Sequence, residues 1–442
     1  MSRKLKIFFS ICFFPLIYSI GLIKNENLFI ENFYSNFLYV FISEKLRLLN
    51  YWTDVPVGDL IYVLVFFFVF YKIFLGAKSI KNFLIELGTV LTIISILFYF
   101  LWGVNYKRIS IKNKIVSNQE VNIVKLVNFT NKLIDKTNKK HIDLFNLDSI
   151  IPYDNRSFEE IINTSVLDFK HLNASKQDNI QNFDYTYPSI KRSLFSTALT
   201  FMGFSGYINP FTGEANINTK IPKNSIPFVI NHEIAHQLGT ASEKDANFIS
   251  YISLLNSSNE FHEFLALSYS LRLCLNELYV NDRNSYSNSI KKINTGVLNN
   301  YNQIQNFWNK YNGPVEIVSK NIYDKFLKQN DLKTGIKNYG ETISLILSYH
   351  NVKSEIRTFE TPSSTDQGPS IEPFLFKPNF YISLEKEIFK KKIEALQFYK
   401  NELKRYPHPR SKEAITALAK KRGSESGFKL AEAVTILRKH WD

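Results

Sequence analysis

With 442 residues, the chain has room for two domains and a sizeable core. Its 54 basic and 40 acidic side chains leave a net +14, but the excess is spread along Lys-rich helices, so solvated faces explain it and no nucleic-acid partner is expected. Two cysteines, Cys12 in an apolar segment and Cys274 in a distant predicted helix, exclude a disulfide framework and leave the redox compartment open.

Residues 1–108 read as a membrane anchor. A basic start, Ser2-Arg3-Lys4-Leu5-Lys6, precedes an uncharged run over 7–23, which reads as a transmembrane helix because no small-residue cleavage site follows it. A second span is expected over 60–77, where Lys72 would snorkel, and a third over 87–106, with Trp102 and Tyr106 as interfacial anchors. Three such runs weigh against a buried hairpin of a soluble protein. Between the first two spans, the aromatic stretch Phe29 to Ile42 is expected to lie on the membrane surface or pack on the spans. The basic N-terminus and the Lys72, Lys78, Lys81 loop place the following domain outside the cytoplasm. Lys107, Arg108, Lys112 and Lys114 point the other way.

From 109 to 350 the chain changes character. Helical apolar spacing marks Val121 to Asp135, Phe158 to Leu172, Glu260 to Leu278, Ser289 to Tyr311, Val315 to Leu327 and Leu332 to Tyr349. In their midst, Gly206 to Asn218 reads as two short strands around a Pro and Gly turn. Such a hairpin is either purely structural or a strand that holds extended substrate by backbone pairing, and for the second role Tyr207, Asn209 and Glu214 are the substrate-binding candidates.

His232-Glu233-Ile234-Ala235-His236 follows, led in by the apolar run Ile226 to Ile230 and closed by Gly239 where a helix would end. On a helix, this spacing puts both imidazoles on one face, where they reach a single zinc ion, with Glu233 beside them. In that reading Glu233 is the catalytic general base, taking a proton from the water that zinc activates. Glu243 is the first choice for the third metal ligand, because its stretch resembles the Glu-x-x-Ala-Asp/Asn arrangement of zinc peptidase families with a glutamate ligand, and Asp245 is the alternative; the bland explanation of both is acidic charge at a helix start. His262-Glu263 lacks a second His and reads as surface helix. His141, His171, His350 and His440 are isolated, and Tyr207, Tyr251 and Tyr269 are weak oxyanion-donor candidates.

Taken together, the order of spans, the junction Leu101-Trp102-Gly103-Val104-Asn105-Tyr106-Lys107-Arg108, GYINPFTGEANIN, NHEIAHQLG and EKDANFISY closely resemble a bacterial membrane family called domain of unknown function 3810, over about residues 1–350. The resemblance implies a multi-pass protein of the bacterial inner membrane with a zincin-like domain and no established substrate. His232, Glu233 and His236 match that family's motif, whereas Asp245 stands where Glu is usual. Residues 351–442 resemble the C-terminal end of LmbE-like (PIG-L) zinc deacetylases. Their catalytic Ala-His-Pro-Asp-Asp-x-Glu motif is missing, so this reads as a non-catalytic fused fragment, with Ser363, Ser364, Arg410 and Gly423 as its only pocket candidates.

The expected fold class is therefore mainly α: three transmembrane helices, a helix-dominated zincin-like α+β domain with a small β-hairpin, and a C-terminal α/β fragment. The expected function is a membrane-anchored, zinc-dependent metallopeptidase whose partners are the lipid bilayer and a peptide or protein substrate. The alternatives are a non-catalytic membrane protein with a structural zinc site and, less favoured, an N-acetyl sugar deacetylase acting through the C-terminal segment.

Overall fold

Uncharged length governs the first part of the fold. In a computed structural model, which describes residues 2–23, 26–71, 79–115, 123–175, 180–330, 339–352, 356–360, 376, 378–397 and 403–438, the chain is mainly helical and divides into two units, Met1–Ser348 and Tyr349–Asp442. Helix α1 (Arg3–Gly21) is capped by the Ser2 hydroxyl. A π-helical segment (Ile30–Leu38) runs into α2 (Tyr39–Asn50), followed by α3 (Val57–Tyr71) and α4 (Ile80–Leu101).

Helices α1 and α4 run parallel. Thr89 and Thr92 donate their hydroxyls to the carbonyls of Lys6 and Phe9, at 2.8 and 2.7 Å, and Gly88 lies so close to Ser10 that a Cβ there would collide. A glycine at a helix contact allows this close approach, as in membrane helix pairs.

Among the described residues, two helices, α1 and α4, are long and apolar enough to cross a membrane, not three. Of the span expected over 60–77, the described part belongs to a helix of 15 residues, about 22 Å long, which alone does not reach across the ~30 Å hydrocarbon core; residues 72–78 lie outside the described part. Trp102 and Tyr106 also depart from expectation. α4 stops at Leu101, a 3-10 turn (Gly103–Lys107) follows, and both rings are buried in the domain rather than anchored at an interface.

After the short α5 (Ile111–Lys114), α6 (Ile123–Phe145) and α7 (Phe158–Ala174) carry the expected apolar stripes; α7 opens with a Ser157–Glu160 capping box. Strand β1 (Ile190–Arg192), helix α8 (Ser196–Met202), and strands β2 (Gly206–Ile208) and β3 (Ala215–Ile217) come next. β2 and β3 form the expected antiparallel hairpin. β1, which carried no strand signal strong enough to be read, pairs parallel with β3, so the order is β1-β3-β2 and β2 is an edge.

Then α9 (Ile226–Gln237) carries the His motif and packs on the sheet, with Pro227 in its first turn, where no helical N–H is lost. Helices α10 (Glu243–Leu255), α11 (Glu260–Asn281), α12 (Arg283–Ile290), α13 (Thr295–Asn309), α14 (Pro314–Gln329) and α15 (Tyr339–Val352) complete the unit. The helix expected over Ser289 to Tyr311 is thus broken in two.

The second unit has strands β4 (Ile356–Phe359), β5 (Phe380–Ser383) and β6 (Ala431–Arg438), with α16 (Lys386–Gln397) and α17 (Lys412–Ser426). Its described strands pair antiparallel in the order β4-β6-β5, unlike the parallel sheet of an α/β fold. Ser363 and Ser364 lie outside the described residues.

Candidate metal centre

Helix α9 turns its motif inward: Glu233 and His236 are buried, and His232 is half-buried. Gly239, with φ +87°, reverses the chain after the helix, as only glycine does without strain, and α10 begins three residues after Thr240 with Glu243 in its first turn. The reversal sets the Glu243 carboxylate over the two imidazoles. His232 Nε2 lies 3.0 Å from His236 Nε2 and 3.2 Å from Glu243 Oε2, and His236 Nε2 lies 3.8 Å from Glu243 Oε1. A tetrahedral ion with bonds of about 2.0–2.1 Å sets its ligand atoms about 3.3 Å apart. The three separations straddle that spacing.

Protonation points the same way. His236 Nδ1 meets the Thr240 carbonyl at 2.5 Å, which makes it the N–H donor and leaves Nε2 with a lone pair aimed at the cluster. Burial, and then the charge of His232, hold His236 down at about 4, so it is neutral at pH 7. Burial opposes charge on His232, but the hydrogen bond and charge of Glu243 outweigh it and raise its pKa. Glu243 is held down at about 2: burial works against ionisation, and the His232 hydrogen bond and the two imidazoles overcome it. Burial pushes Glu233 up to about 8, and its Oε2 has no hydrogen-bond partner. Two imidazoles and a carboxylate whose donor atoms converge, beside a second carboxylate with an unused oxygen, are a donor set that suits a divalent cation once His232 gives up its proton.

Asp245, the alternative ligand, is turned away. Its Oδ2 accepts from the Ile111 backbone N–H at 3.3 Å, burial pushes it up to about 6, and it lies outside the His232, His236, Glu243 cluster. Position in the helix explains this, because residues two apart lie about 200° around the axis from one another.

Nor do the expected substrate residues reach the cluster; Glu214 and Tyr207 hold α3, and Asn209 holds the turn of its own hairpin. Glu214 is fully buried and accepts from the Val57 and Gly58 N–H groups, at 2.9 and 2.5 Å, and from the Thr212 hydroxyl. It therefore caps a helix start, where a carboxylate complements the dipole. The Asn209 side-chain oxygen Oδ1 accepts from the backbone N–H groups of Phe211 and Thr212, and the Tyr207 hydroxyl bonds Asp59 of α3.

His262 corrects another expectation. It is fully buried rather than on a surface helix, and bonds Asp168 at 2.6 Å. Tyr251 is buried in the core, and Tyr269 packs on Phe228.

Several participants carry no local signal. The Tyr323 hydroxyl of α14 bonds Glu243, 80 residues away in sequence. Trp102 packs edge-on to His236, with ring centroids 6.2 Å apart. Gln237, next to the motif, ties the site together. Its amide donates to the Ser189 and Gly213 carbonyls, its side-chain oxygen accepts from Tyr185, and its carbonyl accepts from Ser43 at 2.6 Å and from Tyr39 and Arg47. An aromatic cluster of Ile30, Tyr34, Tyr39, Trp102 and Tyr106 closes around this end, with Ile208 and Tyr323 against it.

Fold and site together define a mainly helical protein whose apolar N-terminal helices meet a two-histidine, one-glutamate cluster. The chain belongs to the family described as Protein of unknown function (DUF3810), whose model matches residues 34–347, from the π-helical segment through most of α15. No curated protein and no solved structure matches the chain.

Proposed function

We propose that the protein is a membrane-anchored, zinc-dependent hydrolase and, more narrowly, a metallopeptidase. The observation that carries this is the convergence of His232, His236 and Glu243 on one point with the buried carboxylate of Glu233 beside it. Zinc bound there would supply a Lewis acid that lowers the pKa of water and polarises a carbonyl.

The chain's own groups do the rest. Glu233 takes the proton of the attacking water as its oxygen bonds to the carbonyl carbon, then passes it to the leaving amine as the C–N bond breaks. A dication nearby draws the Glu233 pKa back down, so the carboxylate accepts that proton at neutral pH. Tyr323 holds Glu243, and the Thr240 carbonyl holds the His236 tautomer.

Two features favour this over a structural zinc site. Structural sites close with four protein ligands, and among the described residues three donors meet here. The edge strand β2 also passes the general base, since a Cβ on Gly206 would lie 3.0 Å from Glu233 Oε1. A free strand edge there suits an extended peptide.

Orientation follows from the parallel pair. α1 and α4 both start at a basic end (Arg3, Lys4, Lys6, Lys81), which by the positive-inside rule favours a site outside the cytoplasm, with the chain between Gly21 and Ile80 crossing back. Arg108 and Lys114, which argue otherwise by count, share Glu31 as an ion-pair partner, at 2.9 and 2.6 Å, which removes one of their two charges.

Purified protein should carry about one zinc per chain. Glu233→Gln should keep the zinc but cut hydrolysis of a peptide library roughly 10²- to 10⁴-fold, while His232→Ala should lose the metal. A metal-free wild type, or a Glu233→Gln protein as active as wild type, would sink the reading.

A further inference from the structure

The metal centre is tied to the apolar helices at three points. Trp102, the first residue after α4, packs on His236 and aims its indole N–H at that residue's carbonyl, 3.5 Å away. Tyr39, Ser43 and Arg47, on the helix that continues the π-helical segment, all reach the Gln237 carbonyl at the end of α9. The first turn of α3 hangs from Glu214, in the hairpin whose edge strand passes Glu233.

The outward face of the π-helical segment and α2 is aromatic and uncovered. Phe29, Phe33, Phe37 and Phe41 are 69%, 50%, 69% and 60% exposed, and the first three rings follow one another at 5.3 and 6.2 Å. Lipid is the occupant that fits this face. It continues the exposed apolar flanks of α1 and α4, to which Ile23 and the Tyr34 hydroxyl bond to the Phe100 carbonyl join it, and the exposed Tyr51 and Trp52 follow at the end of α2, as at a bilayer interface. The opposite face of the same segment is buried toward α9, so about one helix diameter, ~10 Å, separates that lipid-facing row from the motif helix.

Strand β2 sets a direction. Gly206 lies at Glu233, whereas Ile208, about 7 Å further along an extended chain, packs into the aromatic cluster of Ile30, Tyr34 and Trp102 at the ends of the apolar helices. A peptide paired on that edge has one end at the general base and the other at the membrane.

We infer that the substrate is a polypeptide itself anchored in the bilayer, cut within a few residues of where it leaves the lipid. This rests on the metallopeptidase reading.

The test uses zinc-loaded, full-length protein in phosphatidylcholine–phosphatidylglycerol vesicles. Its probes are internally quenched degenerate peptides, either free or joined to a transmembrane helix through a spacer of about 3 or about 20 residues. The short-spacer peptide should be cut at least roughly tenfold faster than the long-spacer one. The long tether experiences the same surface enrichment, so enrichment alone cannot produce this difference. Equal rates at both spacers, or free peptides cut as fast as tethered ones, overturn the inference and leave the peptidase reading standing. Hydrolysis of none of them removes both.

A second readout needs no activity: a fluorophore on Phe37→Cys in a Cys12→Ser background. It should be quenched by shallow lipid-chain nitroxides and shielded from aqueous iodide. The reverse pattern overturns the inference.

Discussion

Gly239 shows how much one residue carries at this site. Its φ of +87° is left-handed, a Cβ would sit 2.9 Å from the Tyr39 ring, and its carbonyl accepts from Arg108 at 2.9 Å. Gly239→Ala must either strain the turn or push Tyr39 away, and should cost about 2 kcal/mol. The measurement is the thermal midpoint, expected to fall by several degrees, together with weakened zinc retention because the turn aims Glu243 at the imidazoles. An unchanged midpoint would refute the assignment. Gly239 was legible as a helix stop because its chemistry is local. Tyr323 was not, since a tyrosine 80 residues from Glu243, among the 24 in the chain, is marked only by the contact itself.

At the scale of elements, the π-helical segment is held to the turn after α4 by Glu31. This carboxylate accepts from both ends of the Arg108 guanidinium, from Lys114 and from the Ile109 N–H. Burial alone would raise its pKa, but the Arg108 hydrogen bond and charge, then those of Lys114, outweigh it and hold Glu31 at about 2.

A depressed carboxylate contributes stability that is present in full above its unfolded pKa, about 4.5, and is lost as pH falls towards 2. At neutral pH Glu31→Gln should therefore be less stable than wild type by on the order of 3 kcal/mol. The gap should close between roughly pH 4.5 and 2. Denaturant melts across that range measure it, and a gap that does not depend on pH would contradict the assignment. The aromatic periodicity of this segment was readable in one dimension. Which face would be covered was not, because the covering groups, Gln237 and Gly239, come about 200 residues later.

Over the whole molecule, the family match ends at 347 and the first unit at Ser348, while the second unit has its own buried residues, among them Ile393, Ile415, Ala419 and Val434. A chain ending after Val352 keeps α15, and with it the Lys244–Glu341 ion pair at 2.6 Å. It should bind zinc with wild-type stoichiometry and melt within about 2 °C of the full chain's first unit. Loss of zinc on truncation would make the two units one cooperative structure.

By itself, the sequence determined what short-range physics encodes. Apolar runs of membrane length, helical stripes, a hairpin around Pro and Gly, and two imidazoles one turn apart all follow from residues within a few positions of one another. Glu243 falls between the two classes: the sequence offered it together with Asp245, and only the fold set its carboxylate over the imidazoles. Tertiary structure decided what depends on distant partners. Asp245 faces Ile111 instead of the imidazoles, Glu214 and Tyr207 hold α3 instead of substrate, and Trp102 packs on the motif helix instead of anchoring at lipid. A buried carboxylate, amide or indole carries the same local signal in a site as in a joint, and only the group that meets it across the fold distinguishes the two.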